Sequence, residues 1–376
     1  MRTKITAVAA AILAAAAFGG VQAANAAPAP QAGAAPYTGT ALHTGAAPYG
    51  EAGPHAGAAP YTGTAHDTGT ERHADGTPHS AAVRYASVRG CSDKEGVQYP
   101  CGKWRLVTHM GEVRKLADAR ITPLSAKGRP QKYSVAPIEV SGDGLHVAYF
   151  RKSDGRLVVR EIGGGVRVMS GTLPAHVGMG QVTLILSQDG ARLAVTFPEN
   201  PKAPSRVYDT ASGELLWTVP GDRRPVGFSA DDDELLAYRE VGEDESYKVF
   251  LYVIGQSGEQ LHREAPGGGG AYGPYGLAAD GTTVVTTHEK RGRTDVVVHD
   301  LASSRVVTRV PVGKSAPETL AWTGPEQVTA HFITYDGGAR PSRVRVLQID
   351  TTTKKTRVRE SYKVLSDTFA VATCGG

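Results

Sequence analysis

The sequence predicts an all-β protein, a six-bladed β-propeller, and two observations support this prediction. First, an apolar strand, a tight polar turn and a second apolar strand recur six times between residues 104 and 359. Second, the recurrence has a period of about 45 residues, which is typical of propellers, where each repeat forms one radial blade. Seven blades is the main alternative.

The chain of 376 residues divides into three segments by composition. Residues 1–26 carry two basic residues, an Ala-rich apolar stretch and small residues suited to cleavage, the layout of a secretory signal peptide. Residues 27–82 are rich in Ala, Gly, Pro, Thr and His and have few branched aliphatic residues, so we expect a disordered tether. Residues 83–376 form the predicted propeller domain. We therefore expect a secreted, extracellular protein, either free or associated with the cell envelope.

Each blade should contain an inner hairpin of strands a and b. Asp-Gly in such a tight loop supplies the positive φ angles that a hairpin turn requires. The aspartates at these turns are expected to cap their own backbone and to have a structural role. Five inner turns can be recognised, at residues 141–144, 187–190, 229–232, 279–281 and 323–326.

Six outer hairpins, strands c and d, are also predicted. Their turns are expected at Gly111, Gly164, Gly213, Gly258, Ser304 and Thr353.

Six outer hairpins but only five inner hairpins can be recognised, so the inner strands a and b of the first blade have to be found elsewhere in the chain. Either residues 83–90 or the C-terminal run 363–372 can supply them, and the second run itself has the pattern strand, Ser-Asp turn, strand. A propeller is a closed ring without a free edge, so the last strands would close it by completing the first blade. In that case the strand ending at Thr373 would lie beside the strand beginning at Lys103.

The three cysteines, Cys91, Cys101 and Cys374, bear on ring closure. In an oxidising compartment two of them should pair. We favour Cys101 with Cys374, which would join the two ends of the domain. The alternative is Cys91 with Cys101, which closes a short local loop.

Two motifs connect the chain with known propellers. Residues 187–195, SQDGARLAV, resemble the SPDGxxLA repeats of TolB-like and WD-repeat-like propellers. Residues 207–214, VYDTASGE, are similar to the strand c and outer-turn motif of WD-repeat proteins. The resemblance implies the fold, but it implies no function, because these motifs are structural.

The sequence argues against several classes of function. It has no Gly-x-Ser-x-Gly elbow, His-Glu-x-x-His helix or phosphate loop, so we expect no catalysis and no cofactor. A net charge of +4 is small for a nucleic-acid binder. We expect a monomer, without a membrane span after signal cleavage, that serves as a platform for a protein or peptide partner or for an envelope polymer. The alternative is an extracellular propeller hydrolase or lactonase with a metal in its central channel.

The candidate binding surface follows from propeller topology. The d-to-a and b-to-c connections share one face of the ring, and here they are the long ones; loops on a rigid scaffold commonly carry function. The candidate residues on this face are His176, Met179, Arg223, Arg224, Tyr272, Tyr275, His288, Arg291 and Tyr335.

Overall fold

The computed structural model describes residues 81–242, 248–265, 274–336 and 340–374. Within these ranges the chain forms 24 β-strands in six antiparallel sheets of four strands each, and one short 3₁₀ turn at Met179–Gln181. The sheets are the six blades of a β-propeller, as the sequence predicts. The predicted signal peptide and most of the predicted tether lie outside the described residues.

The strands of each blade run in the order a to d from the axis outward. Blade 1 contains β24 (Thr368–Thr373), β1 (Val83–Ser92), β2 (Gln98–Thr108) and β3 (Val113–Leu116). Blade 2 contains β4 (Ile138–Val140), β5 (His146–Phe150), β6 (Leu157–Glu161) and β7 (Val166–Val168). Blade 3 contains β8 (Thr183–Leu186), β9 (Arg192–Thr196), β10 (Ser205–Asp209) and β11 (Leu215–Val219).

The remaining three blades follow the same order without a break. Blade 4 contains β12 (Arg224–Phe228), β13 (Leu235–Val241), β14 (Lys248–Gly255) and β15 (Gly258–Glu264). Blade 5 contains β16 (Gly276–Leu277), β17 (Thr283–Lys290), β18 (Arg293–Asp300) and β19 (Arg305–Gly313). Blade 6 contains β20 (Thr319–Gly324), β21 (Gln327–Asp336), β22 (Arg340–Asp350) and β23 (Thr356–Lys363).

The hydrophobic core lies between neighbouring blades. Alternate residues of a strand point to opposite faces of its sheet. In β5, Tyr149 packs into the core shared with blade 1, whereas Ala148 and Phe150 pack into the core shared with blade 3. Both faces of the blade 2 sheet are therefore buried. For this reason nearly all residues of strand β5 are apolar.

The inner turns are held by a repeated serine–aspartate arrangement. In blade 3, the Ser187 hydroxyl accepts a hydrogen bond from the Arg192 N–H at 2.9 Å and donates one to Asp189 Oδ1 at 2.8 Å. The same oxygen of Asp189 accepts the Ala191 N–H at 2.7 Å. The serines of the corresponding turns in blades 2 and 4 make equivalent bonds. These aspartates thus cap their own backbone, as the sequence predicts.

Gly144 shows why one of these turns requires glycine. Its φ is +72°, and a Cβ at this position would lie 2.4 Å from the Val83 carbonyl oxygen. This close approach lets the Val83 N–H donate a hydrogen bond to the Gly144 carbonyl at 2.8 Å. The turn of blade 2 is thereby joined to β1 of blade 1.

Blade 1 is completed by both segments that the sequence offered. β1 lies between β24 and β2, since Ala86 pairs with Ala372 on one side and with Leu106 on the other. The expectation that the strand ending at Thr373 lies beside the strand beginning at Lys103 is therefore wrong. The C-terminal run supplies a single strand because residues 356–363 are already paired as the outermost strand of blade 6.

The disulfide differs from the favoured pairing. Cys91 and Cys101 are joined, and Cys374 keeps a reduced, buried thiol, so the pair Cys101–Cys374 is wrong. β1 extends to Ser92 and β2 begins at Gln98, which places the two bonded cysteines in one hairpin. Cys374 follows the innermost strand, on the other side of β1.

Candidate binding site at the channel mouth

The inner strands of blades 2–6 surround a cavity of about 330 Å³ on the axis of the ring. One end of the cavity lies at the long-loop face, the face that carries the d-to-a and b-to-c connections. The other end lies at the turn face, which carries the a-to-b and c-to-d turns. Arg224, Tyr275 and Glu318 line the first end, and Gln188 and Asp232 line the second.

Besides Asp232 at the turn face, the carboxyl groups of Glu139 and Glu318 line this cavity. Glu139 is the middle residue of β4, and Glu318 immediately precedes β20. Within the described ranges neither forms an ion pair with Lys, Arg or His. Burial raises the pKa of Glu139 well above its ordinary value. Burial also raises the pKa of Glu318, against the opposing effect of a hydrogen bond from Tyr335.

Tyr335 connects the cavity to the long-loop face. Tyr335 is 42 % exposed, and its hydroxyl interacts with the Glu318 carboxyl group, whose pKa it lowers. Loss of solvent around the hydroxyl, together with the negative charge of Glu318, raises the pKa of Tyr335 to about 12. Tyr335 is therefore a neutral hydrogen-bond donor at physiological pH.

Arg224 supplies a positive charge at the cavity mouth. Its guanidinium lies 4.0 Å from Glu240 Oε2 and 5.9 Å from the centre of the Tyr238 ring. An acid and an aromatic ring thus already surround this cation.

The structure brings three of the candidate residues to the channel mouth. Arg224 and Tyr275 line the cavity, and Tyr335 reaches it through Glu318. Tyr275 is only 5 % exposed, so it contributes to the wall of the cavity rather than to the outer surface.

His176 and Met179 lie elsewhere, beside a second cavity of about 430 Å³ between blades 2 and 3. His176 is exposed and has a φ of +68°. Met179 is 6 % exposed and belongs to the hydrophobic core of these two blades, so its placement on an exposed binding face is wrong. The 3₁₀ turn at Met179–Gln181 directs this side chain inward.

The other candidates are also spread out. The Arg223 guanidinium stacks 4.4 Å from the centre of the Tyr252 ring and pairs with Glu259 at 2.9 Å, contacts within its own blade. His288 is half-buried near the end of β17, and Arg291 is exposed in the turn before β18. Tyr272 lies outside the described residues.

Sequence reasoning missed Glu139 and Glu318. The signal for Glu139 was an acidic residue between two apolar residues in a predicted inner strand, Ile-Glu-Val. Its importance depends on which face of blade 2 meets the channel, and no local motif encodes that property.

The described part of the chain has neither a cluster of metal-ligating side chains nor a membrane-spanning helix. Among the described residues, no three His, Cys, Asp or Glu side chains come close enough together to hold a metal ion. Nor does the described part of the chain contain a helix of the length and apolar character needed to span a bilayer.

Several solved structures are similar to this chain at low sequence identity. TolB from Acinetobacter baumannii is 15 % identical, with a TM-score of 0.40, over 79 % of this chain and 67 % of that one. The propeller domain of the Trilobed protease from Pyrococcus furiosus is 11 % identical, with a TM-score of 0.41, over 76 % and 96 %.

Hydrazine synthase from Kuenenia stuttgartiensis is 19 % identical, with a TM-score of 0.37, over 59 % of this chain. The match spans 64 % of the hydrazine synthase chain, slightly less than two thirds. No protein-family model and no curated protein sequence matches the chain.

Proposed function

We propose that this protein is a non-catalytic interaction platform that binds a protein or peptide partner through its long-loop face. The observation that carries the proposal is the convergence of three blades on the channel mouth. Arg224 and Tyr275, from blades 4 and 5, line a cavity with mainly apolar walls, and Tyr335, from blade 6, reaches it through Glu318. Arginine and tyrosine are enriched at the centres of protein interfaces, where they carry much of the binding energy.

Secretion is part of the same proposal. The N-terminal sequence has the layout of a signal peptide, and disulfides persist in oxidising compartments. The Cys91–Cys101 bond supports an extracytoplasmic location. The partner would then be an exported or envelope protein, or a polymer of the envelope.

Affinity capture tests the platform. The full mature chain is immobilised and exposed to secreted and envelope fractions, next to Arg224→Ala and Tyr335→Ala variants. We expect each variant to recover about tenfold less partner, since a central interface residue contributes more than about 1 kcal/mol. The control is Arg305→Ala, which removes an exposed arginine beside an outer turn of blade 5. Equal recovery by all four proteins would contradict binding at the long-loop face.

The predicted alternative, a metal-dependent hydrolase or lactonase, has its own test. Metal analysis of the purified protein is combined with turnover assays on lactones and peptides. The platform proposal predicts neither a tightly bound stoichiometric metal ion nor turnover. Finding both together would overturn it in favour of the enzyme.

A further inference from the structure

The cavity in the channel is lined by more acidic than basic side chains. Arg224 contributes a cation, and Glu240 lies 4.0 Å from it. Asp232 is held at the turn face, where its carboxyl group accepts the Gln188 N–H at 3.0 Å. Two carboxyl groups therefore remain in the cavity without a cation, those of Glu139 and Glu318 (no described Lys, Arg or His pairs with either).

A buried carboxylate without a cation is costly, because the protein must remove it from water without an opposite charge in return. Glu139 and Glu318 are both only partly exposed, and burial raises the pKa of each. A cation that enters the cavity would offset the cost and would be attracted from outside by the same two groups.

The walls of the cavity also suit the body of a long basic side chain. Aromatic faces attract cations, and apolar surface packs against the methylene groups of lysine and arginine. The aromatic residues in the lining are Phe228, Tyr238, Tyr275 and Trp322.

We propose that the channel binds one basic side chain, the guanidinium of an arginine or the ammonium of a lysine, with Glu139 and Glu318 as its acceptors. This inference rests on the proposed function, because the partner's polypeptide supplies the side chain. Glu318 lies at the mouth, and Glu139 lies further along the axis, in the middle of β4. The inserted side chain therefore passes one carboxyl group on its way to the other.

The chemistry of the two side chains favours arginine over lysine. The guanidinium carries five N–H donors in a planar fork and can bond to two carboxylates at once, whereas an ammonium is a compact point charge. We therefore expect the partner to present an arginine on a projecting loop or chain terminus.

Calorimetric titration with blocked tripeptides tests the proposal on the full chain. The probes are Ac-Ala-Arg-Ala-NH₂ and its citrulline counterpart, which has nearly the same shape and no charge. We expect the arginine peptide to bind at least about tenfold more tightly, as hydrogen bonds between charged groups imply. Glu139→Gln and Glu318→Gln are each expected to weaken it about tenfold. Glu214→Gln, in an exposed outer turn, is the matched control and should bind like the wild type.

Equal binding of the two peptides, no measurable binding of the arginine peptide, or wild-type binding by both channel variants would overturn the proposal. The arginine–citrulline comparison uses wild-type protein only, so it decides even if a variant fails to fold.

The proposed interaction with a partner protein can be wrong independently of the cation site. If no partner is captured but the arginine peptide binds in a Glu139-dependent way, the cation site is supported on its own. If both Glu→Gln variants capture the partner as well as the wild type does, the proposed partner binding is supported and the cation site is wrong.

Discussion

Asp189 and Asp232 meet across the boundary between blades 3 and 4, where the Asp189 N–H donates a hydrogen bond to Asp232 Oδ2 at 3.3 Å and the two carboxyl groups interact. Burial and this contact with Asp189 raise the pKa of Asp232 to about 7. Burial also acts on Asp189, but hydrogen bonds from the Ala191 N–H and from Asp232 outweigh it and lower its pKa. The pair therefore shares one proton over much of the acidic range, and this proton joins two blades at the turn face.

Asp232 should make the protein less stable as the pH rises. Its folded pKa, about 7, is above the ordinary value of 3.8, so the folded state binds this proton more tightly than the unfolded state does. The stabilisation is complete below about pH 4 and is lost as the pH rises through 7. Asp232→Asn resembles the protonated acid and should remove this loss.

Urea unfolding at pH 4 and pH 8 measures the effect. We expect Asp232→Asn to match the wild type at pH 4 and to be more stable at pH 8, by at most roughly 4 kcal/mol for a three-unit shift. The control is Asp233→Asn, which removes a charge from the neighbouring exposed position and should not produce this pH-dependent gain. If the Asp232→Asn protein is no more stable than the wild type at pH 8, the pair does not share a proton.

His331 should have the opposite effect on stability. It is 2 % exposed, and burial, together with the positive charge of Arg359, lowers its pKa to about 4. The unfolded state therefore binds the proton more tightly, and stability is lost as the pH falls from about 6.5 through 4, by roughly 3 kcal/mol at most.

His331→Gln should reduce this acid-induced loss. Unfolding free energies measured between pH 4 and pH 7 should depend less steeply on pH in the variant than in the wild type. Burial and the charges of Arg309 and His288 lower the pKa of His299 to about 4 as well, so part of the slope should remain until His299→Gln is added. An unchanged slope in the double variant would contradict the burial of neutral histidines.

The inner-turn serines should be stabilising. Ser187 is 1 % exposed, and its hydroxyl bonds both the Arg192 N–H and Asp189. Ser187→Ala leaves a buried N–H unsatisfied, so we expect a loss of about 1–3 kcal/mol in the free energy of unfolding. Ser212→Ala, in the exposed outer turn of the same blade, should cost about 0.5 kcal/mol. Similar losses of unfolding free energy in the two variants would show that the buried serine hydroxyl stabilises the protein no more than the exposed one.

The turns could be predicted from sequence because their chemistry is local. Positive φ at Gly144, Gly190 and Gly281 and the Ser–Asp hydrogen bonds depend on a few consecutive residues. Ring closure could not be predicted in full, because the pairing of Ala372 with Ala86 joins residues far apart in sequence. Whether a strand near residue 364 belongs to blade 6 or blade 1 is decided by that long-range pairing.

The candidate site was predicted only in part, for a related reason. Topology predicted Arg224 and Tyr335 at the long-loop face, where the structure has them, since connections alternate between the two faces of a ring. The direction of a side chain at the axis depends on the twist of its blade and on its neighbours. For that reason Glu139 was missed and Met179 was expected at the surface although it is buried.

Deletion of residues 366–376 should open the ring. β24 pairs with β1 through five residues, and Ala370, Ala372 and Cys374 belong to the core between blades 1 and 2. The deletion leaves β1 as an unpaired edge beside an exposed core, which promotes aggregation. We expect the truncated protein to elute as aggregates in size-exclusion chromatography and to regain solubility when refolded with a synthetic 366–376 peptide. A truncated protein that stays soluble and melts like the full chain would contradict closure by β24.

Alkylation of Cys374 tests the closed six-bladed ring most directly, because every residue of the candidate site depends on that ring for its position. Cys374 is 9 % exposed, packs in the core between blades 1 and 2, and donates its N–H to the Arg84 carbonyl at 3.2 Å, so we expect the thiol to be protected while β24 stays paired with β1. Mass spectrometry after treatment with iodoacetamide should find this cysteine unmodified in the native protein and fully modified in denaturant, with the Cys91–Cys101 bond intact in both samples. Reaction of native Cys374 at the rate seen in denaturant would contradict the closed ring.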